Sequence, residues 1–196
     1  GGWDRAPSGH PGTDPRIARL HGGDAFRHGD LNAWTRWARG NPRAFIDLEG
    51  PLGALGGEDS DAILARIAEA RVDGVIAVVP TLDRARLRSL TGFDASPARA
   101  LDTLAALSDQ GIAVAVALVV HPDTVANLRE TALACAERLG DRVDLVVRRS
   151  PSVRGDPRKL PVVGAETRWG ELPGLSRELA ALPLVLPGGA RLQMDP

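Results

Sequence analysis

Ile112-Ala113-Val114-Ala115-Val116-Ala117-Leu118-Val119-Val120 is the longest apolar run in the chain. It is far too short to span a bilayer. Gly111 precedes it and His121-Pro122 follows it, so turn residues bound it on both sides. Length, boundaries and valine content read as a strand. Every position is apolar, instead of every second one, which fits a parallel strand covered on both faces. Val75-Ile76-Ala77-Val78-Val79 has the same character. Between the two runs, Ser96 to Gln110 has helical spacing and a Ser-Pro start. Strand, helix, parallel strand is one βαβ unit, and the rest of the chain extends it.

Upstream, Arg16 to His21 and Ala44 to Leu48 read as strands. Asp30 is placed to cap a helix through Arg39, with Gly40 as its stop. A Gly-rich loop over 49–57 leads to a helix from Ser60 to Ala70, with Ile63, Leu64 and Ile67 on one face. Thr81 to Leu90 is a short helix. Downstream, Thr124 to Leu139 is a helix ending at Gly140, and Val143 to Val147 is a fifth strand. Residues 151–173 turn to Pro, Gly and charge. Leu175 to Leu182 is a short helix, and Leu184 to Leu186 a sixth strand. Five or six parallel strands in an α/β chain give a partial (β/α) barrel, with an open doubly wound sheet as the alternative. The expected organisation is a tail or remnant first strand over 1–15, a partial barrel over 16–150, and a loop, helix and last strand of the same domain over 151–196. Either architecture puts ligands at the carboxyl ends of the strands.

Composition narrows the function. The chain has 196 residues, 43% hydrophobic and 25% charged, which is ordinary globular usage. A formal net charge of −1 gives no basic excess, so neither nucleic acid nor a membrane surface is expected as a partner. The N-terminal residues lack the basic-then-apolar pattern of a signal peptide; the chain is expected to be cytoplasmic, or to have lost a leader. No G-x-G-x-x-G follows the first strand, which weakens a dinucleotide reading. Cys135 is the single cysteine, set among Ala132, Leu133, Ala134 and Ala136, and reads as a small core residue.

Several stretches, in order, resemble the core of a radical S-adenosylmethionine (SAM) enzyme of the peptide-maturase type. His21-Gly22-Gly23-Asp24-Ala25 stands where that family has a Gly-Gly-Glu-Pro loop. Asp30-Leu31 and the helix after them match the next segment. Asp47-Leu48-Glu49-Gly50 stands where a strand ends in Thr-Asn-Gly. Ala65 to Val75, Leu87 to Gly92, Ala100 to Leu107 and Gly111 to Val120 follow in family order, and Leu184 to Pro187 resembles a late strand. The likeness covers about residues 16–150. It implies a partial barrel, with Gly22, Gly23 and Asp24 as the remnant of a SAM-binding loop. The family also carries a three-cysteine motif holding a [4Fe–4S] cluster, and one thiolate cannot hold four irons. The resemblance therefore implies a degenerate relative, with no cluster and no cofactor expected, SAM being the one exception to test. Such a chain is expected to work as a catalytically inactive binding or scaffolding partner of a maturase, a peptide or a larger assembly, alone or as an oligomer. A SAM-binding module without radical chemistry is a second form of that reading.

A different enzyme reading uses His21, Asp47, Glu49 and His121. These would converge on one barrel rim and could hold Zn²⁺ or Mn²⁺ for a hydrolase or lyase. Asp47 and Glu49 sit two apart, so they share a strand face and suit paired acid–base work. Trp34 and Trp37 share a helix face. Trp169 falls in the Pro/Gly-rich stretch. Arg148, Arg149, Arg154, Arg158 and Lys159 form a basic cluster that could receive an acidic peptide or phosphate.

Overall fold

The structure is a computed structural model that describes residues 17–21, 24–120, 124–149 and 191–194. The helix at 175–182, the strand at 184–186 and the stretch 151–173 lie outside the described residues. Six parallel strands form one sheet: β1 (Ile17–Leu20), β2 (Phe45–Pro51), β3 (Gly74–Val79), β4 (Ala113–Val120), β5 (Val143–Arg149) and β6 (Arg191–Met194). They lie in chain order, each hydrogen-bonded to the next. A doubly wound sheet reverses its strand order at a switch point, and no such reversal occurs among these strands.

The helices are α1 (Leu31–Ala38), α2 (Leu52–Leu55), α3 (Ser60–Ala70), α4 (Arg84–Thr91), α5 (Pro97–Asp109) and α6 (Leu128–Leu139). Ser96 caps α5 as its sequence suggests, its hydroxyl accepting from the Arg99 amide. Asp83 caps α4 in the same way, accepting from the Arg86 amide at 2.7 Å. Asp30 stands at the N-cap of α1 without a side-chain cap bond. Instead its own amide donates to His28 Nδ1 at 3.1 Å.

Alternation divides the sheet into two faces. Ile46, Leu48, Val75, Ala77, Val79, Val114, Val116, Leu118, Leu145 and Val147 join the helices in one core. Ile63 and Ile67 of α3, Leu104 and Leu107 of α5, and Ala132, Cys135 and Leu139 of α6 supply the opposite side. Each buried leucine or isoleucine there contributes about 1.5–3 kcal/mol relative to exposure. The other face carries Arg19, Asp47, Glu49, Gly74, Ile76, Ala115 and Arg148.

Several boundaries shift by two to four residues, and two regions differ more from the sequence reading. β2 runs on to Pro51, and α2 follows at once, so most of the expected loop over 49–57 is strand and helix. Buried Leu52 and Leu55 account for the turn of helix, because the apolar residues at its two ends both face the core. The last described strand is Arg191–Met194, where the sequence reading expected none. At four residues, Arg191-Leu192-Gln193-Met194 is too short for its alternation to stand out, and pairing with β5 supplies what local pattern does not.

Candidate functional site

Charge gathers on the face of the sheet that the helices leave uncovered. Arg19 and Asp47 are cross-strand partners in the β1–β2 register. Arg19 Nη2 donates to Asp47 Oδ2 at 2.9 Å, and its Nη1 lies 4.0 Å from Glu49 Oε2. Arg148 Nη1 donates to the same Glu49 oxygen at 3.0 Å. Two arginines and two carboxylates from β1, β2 and β5 thus form one network.

The Arg148–Glu49 contact also measures the shape of the sheet. Glu49 registers with Ile76, Ile76 with Ala115, and Ala115 with Asp144, four residues before Arg148. On a flat sheet the two positions would be about 14 Å apart across the strands and about 13 Å apart along them. A direct hydrogen bond across that distance requires the sheet to curl toward this face, which is therefore concave. Small residues make the curl possible. A Cβ added at Gly74 would strike Asp47 Oδ1 and the Phe45 ring. Gly74, Ala113 and Ala115 floor a cleft of about 230 Å³ walled by Arg19 and Asp47 on one side and Asp144 and Arg148 on the other.

Above the carboxyl end of β1, Asp24 begins a short turn over Ala25–Arg27. Phe26 anchors that turn; it is fully buried, and a Cβ on Gly50 would meet its ring at 2.8 Å. Arg27 reaches outward to Asp59 Oδ1 at 2.7 Å and toward Asp24 Oδ2 at 3.5 Å, and it sits 5.4 Å from the Phe93 ring centre. Burial raises the Asp24 carboxyl above its ordinary 3.8, with Arg27 opposing part of that rise. The Arg27 hydrogen bond holds the Asp59 carboxyl below 3.8. Asp24 Oδ1 is buried and has no hydrogen-bond partner among the described residues. A buried carboxylate oxygen without a donor is a place for one, and an ammonium group supplies it best.

The sequence-derived sites divide. Gly22, Gly23 and His121 lie outside the described residues, as do Arg154, Arg158 and Lys159. His21 is exposed. Asp47 and Glu49 do share a face, but arginines occupy them. Among the described residues no group of three His, Cys, Asp or Glu side chains is arranged to hold a metal ion. Trp34 and Trp37 pack edge to face, with ring centres 5.8 Å apart. Arg19 was not anticipated as a site residue. Its register opposite Asp47, visible once β1 and β2 are paired, was the available signal.

No family model and no curated protein matches the chain. Solved structures do. SuiB of Streptococcus suis bound to S-adenosylmethionine matches with a TM-score of 0.58 at 12% identity, over 91% of this chain and 39% of SuiB. SuiB bound to its precursor peptide SuiA matches with a TM-score of 0.55 at 14% identity, over 92% of this chain and 38% of SuiB. The chain therefore spans under two-fifths of the length of the protein it resembles. The expectation that no cofactor is involved is corrected here, because a structure sharing the fold holds SAM. The residues of this chain do not fit a [4Fe–4S] cluster, the other group the fold implies. Cys135 is fully buried in α6, and burial pushes its thiol up to about 12, far from the thiolate a cluster needs. Thiolates for a cluster would have to come from beyond these 196 residues. No helix among the described residues is long and apolar enough to cross a membrane. At this level of identity the likeness shows one thing, an α/β fold shared with part of SuiB.

Proposed function

We propose that these residues form a radical-SAM-like domain that acts by binding, as a scaffold or partner in the modification of a peptide. The observation that carries this reading is the orphaned, buried oxygen of Asp24 in the turn after β1, and the charged concave face with Arg19 and Arg148 adds to it. SAM is the small ligand that fits best. It is an amino acid with a free ammonium and carboxylate, and the site offers an acceptor at Asp24 and guanidinium groups at Arg19 and Arg148. Asp24 would accept from the ammonium. The arginines would share their charge between the ligand carboxylate and their present partners, Asp47 and Glu49. No reaction step is assigned to these residues.

The likeness to SuiB, seen with both SAM and a precursor peptide, supports a peptide as the larger partner. The test is calorimetric titration of the purified chain with SAM. A saturable one-to-one heat supports the reading, and its absence at millimolar SAM refutes SAM as the ligand. Iron analysis after anaerobic reconstitution checks the scaffold half. A stoichiometric four-iron cluster on this chain alone would overturn it. No observation favours the metal-dependent hydrolase.

A further inference from the structure

We propose that Asp59 is a positioning residue for the ligand at Asp24: it draws the Arg27 guanidinium away and leaves the Asp24 carboxylate to receive an ammonium group. The inference deepens the binding reading above and rests on it. Arg27 stands three residues after Asp24 in the same turn, close enough to neutralise it. It does so only in part. Arg27 Nη1 lies 3.5 Å from Asp24 Oδ2, while its Nη2 donates to Asp59 Oδ1 at 2.7 Å. The shorter bond between charged groups is the stronger one. A carboxylate closed by its own arginine has little charge left for a second cation. Here Asp24 keeps that charge, and its buried Oδ1 has no hydrogen-bond partner among the described residues.

Neighbouring residues hold Arg27 in this shared position. Its guanidinium lies 5.4 Å from the centre of the Phe93 ring. Phe93 in turn packs on Gly53, where an added Cβ would come within 2.6 Å of the Phe93 Cβ. At Gly57 an added Cβ would come within 2.9 Å of Asp59 Oδ1 and 3.2 Å of Arg27 Nη2, so that glycine leaves room for the pair to meet. Asp24, Arg27 and Asp59 together carry one negative charge in excess, the count that suits one ammonium group. Arg27 lowers the Asp24 carboxyl and Asp59 raises it, while the amides of Phe26 and Arg27 also lower it. The elements packed against the turn are β2, α1, α2 and α3. Asp47 and Glu49 of β2 are bonded to Arg19 and Arg148. Arg36 of α1 and Asp61 and Glu69 of α3 are exposed, Arg66 of α3 acts on Asp59, and α2 has no charged residue.

The test is a double-mutant cycle on the full chain, with SAM affinity read by calorimetry at pH 7 and low ionic strength. Asp59→Asn lets Arg27 close on Asp24, and the proposal predicts SAM binding roughly three- to tenfold weaker. Adding Arg27→Gln removes the competing cation, and binding should return to within about twofold of the parent. Asp109→Asn breaks an exposed pair with Arg142 elsewhere on the surface and should leave binding unchanged. Carbon-13 NMR titration of the Asp24 carboxyl gives a readout without ligand. Its midpoint should fall in Asp59→Asn and rise again when Arg27→Gln is added. Asp59 is largely exposed, so Asp59→Asn should fold; Arg27→Met, which keeps an unbranched chain against Phe93, replaces Arg27→Gln if that variant melts early. Equal SAM affinity in Asp59→Asn and the parent would overturn the proposal. So would a double variant as weak as Asp59→Asn, or an Asp24 midpoint that Asp59→Asn leaves in place. A parent chain that takes up no SAM would strike the binding reading and this role with it, and the NMR midpoints tell the two failures apart.

Discussion

Asp24 bears two loads at once. Burial raises its carboxyl above 3.8, so the ionised form is a cost to the folded state at neutral pH. That cost is relieved as pH falls through the raised value. Asp24→Asn removes it, so the variant should be at least as stable as the parent at pH 7, with the difference disappearing in acid. The same variant should weaken SAM binding roughly ten- to hundredfold, the worth of one hydrogen bond between charged groups. Thermal melts across pH and calorimetry check the two halves separately. Asp59 has the opposite sign. Its lowered carboxyl stabilises the fold above 3.8, and that contribution is lost as pH falls through the lower folded value. Because Asp59 is largely exposed, Asp59→Asn should cost at most about 1 kcal/mol in urea. Cys135 gives a chemical check. With no exposure and a thiol pushed up to about 12, it should resist iodoacetamide in the native chain and react on unfolding.

At the scale of elements, the β2 strand and the turn after β1 depend on each other. Gly50 leaves room for the Phe26 ring, and Phe26 fixes the turn that starts at Asp24. Gly50→Ala should cost about 1–3 kcal/mol through displacement of that ring. It should also weaken SAM binding, because Asp24 moves with the turn. Glu49→Gln tests the concave network. It would take the Glu49 charge from Arg148, which is largely covered, while Arg19 keeps its bond to Asp47. The expected loss is about 1–2 kcal/mol, less than for a fully buried pair because the cleft is open to water. Arg142→Ala, which breaks the exposed pair with Asp109, should change stability by at most about 1 kcal/mol. Urea unfolding of the two variants side by side makes the comparison.

Elements with a strong hydrophobic period are legible in the sequence alone. Ser60 to Ala70 reads as helix because Ile63 and Ile67 repeat on one face, and β4 reads as strand because nothing in it is polar. Arg191 to Met194 is not legible in that way, since its strand state comes from β5 beside it. Of the site, the shared face of Asp47 and Glu49 follows from strand alternation alone. Their arginine partners do not, because Arg148 is ninety-nine residues from Glu49 and meets it only through the curl of the sheet.

For the whole molecule, one structural fact links fold to function. A sheet wound in chain order and curled away from its helices gathers β1, β2 and β5 around a single concave cleft. That cleft is built from residues far apart in sequence, and Asp24 stands apart from it in the turn after β1. The most direct measurement is titration of SAM into the chain and into Asp24→Asn, at pH 7 under reducing conditions. The account predicts a saturable one-to-one heat for the parent chain and an affinity at least tenfold weaker for the variant. A parent chain that takes up no SAM, or a variant that binds it equally well, would contradict it.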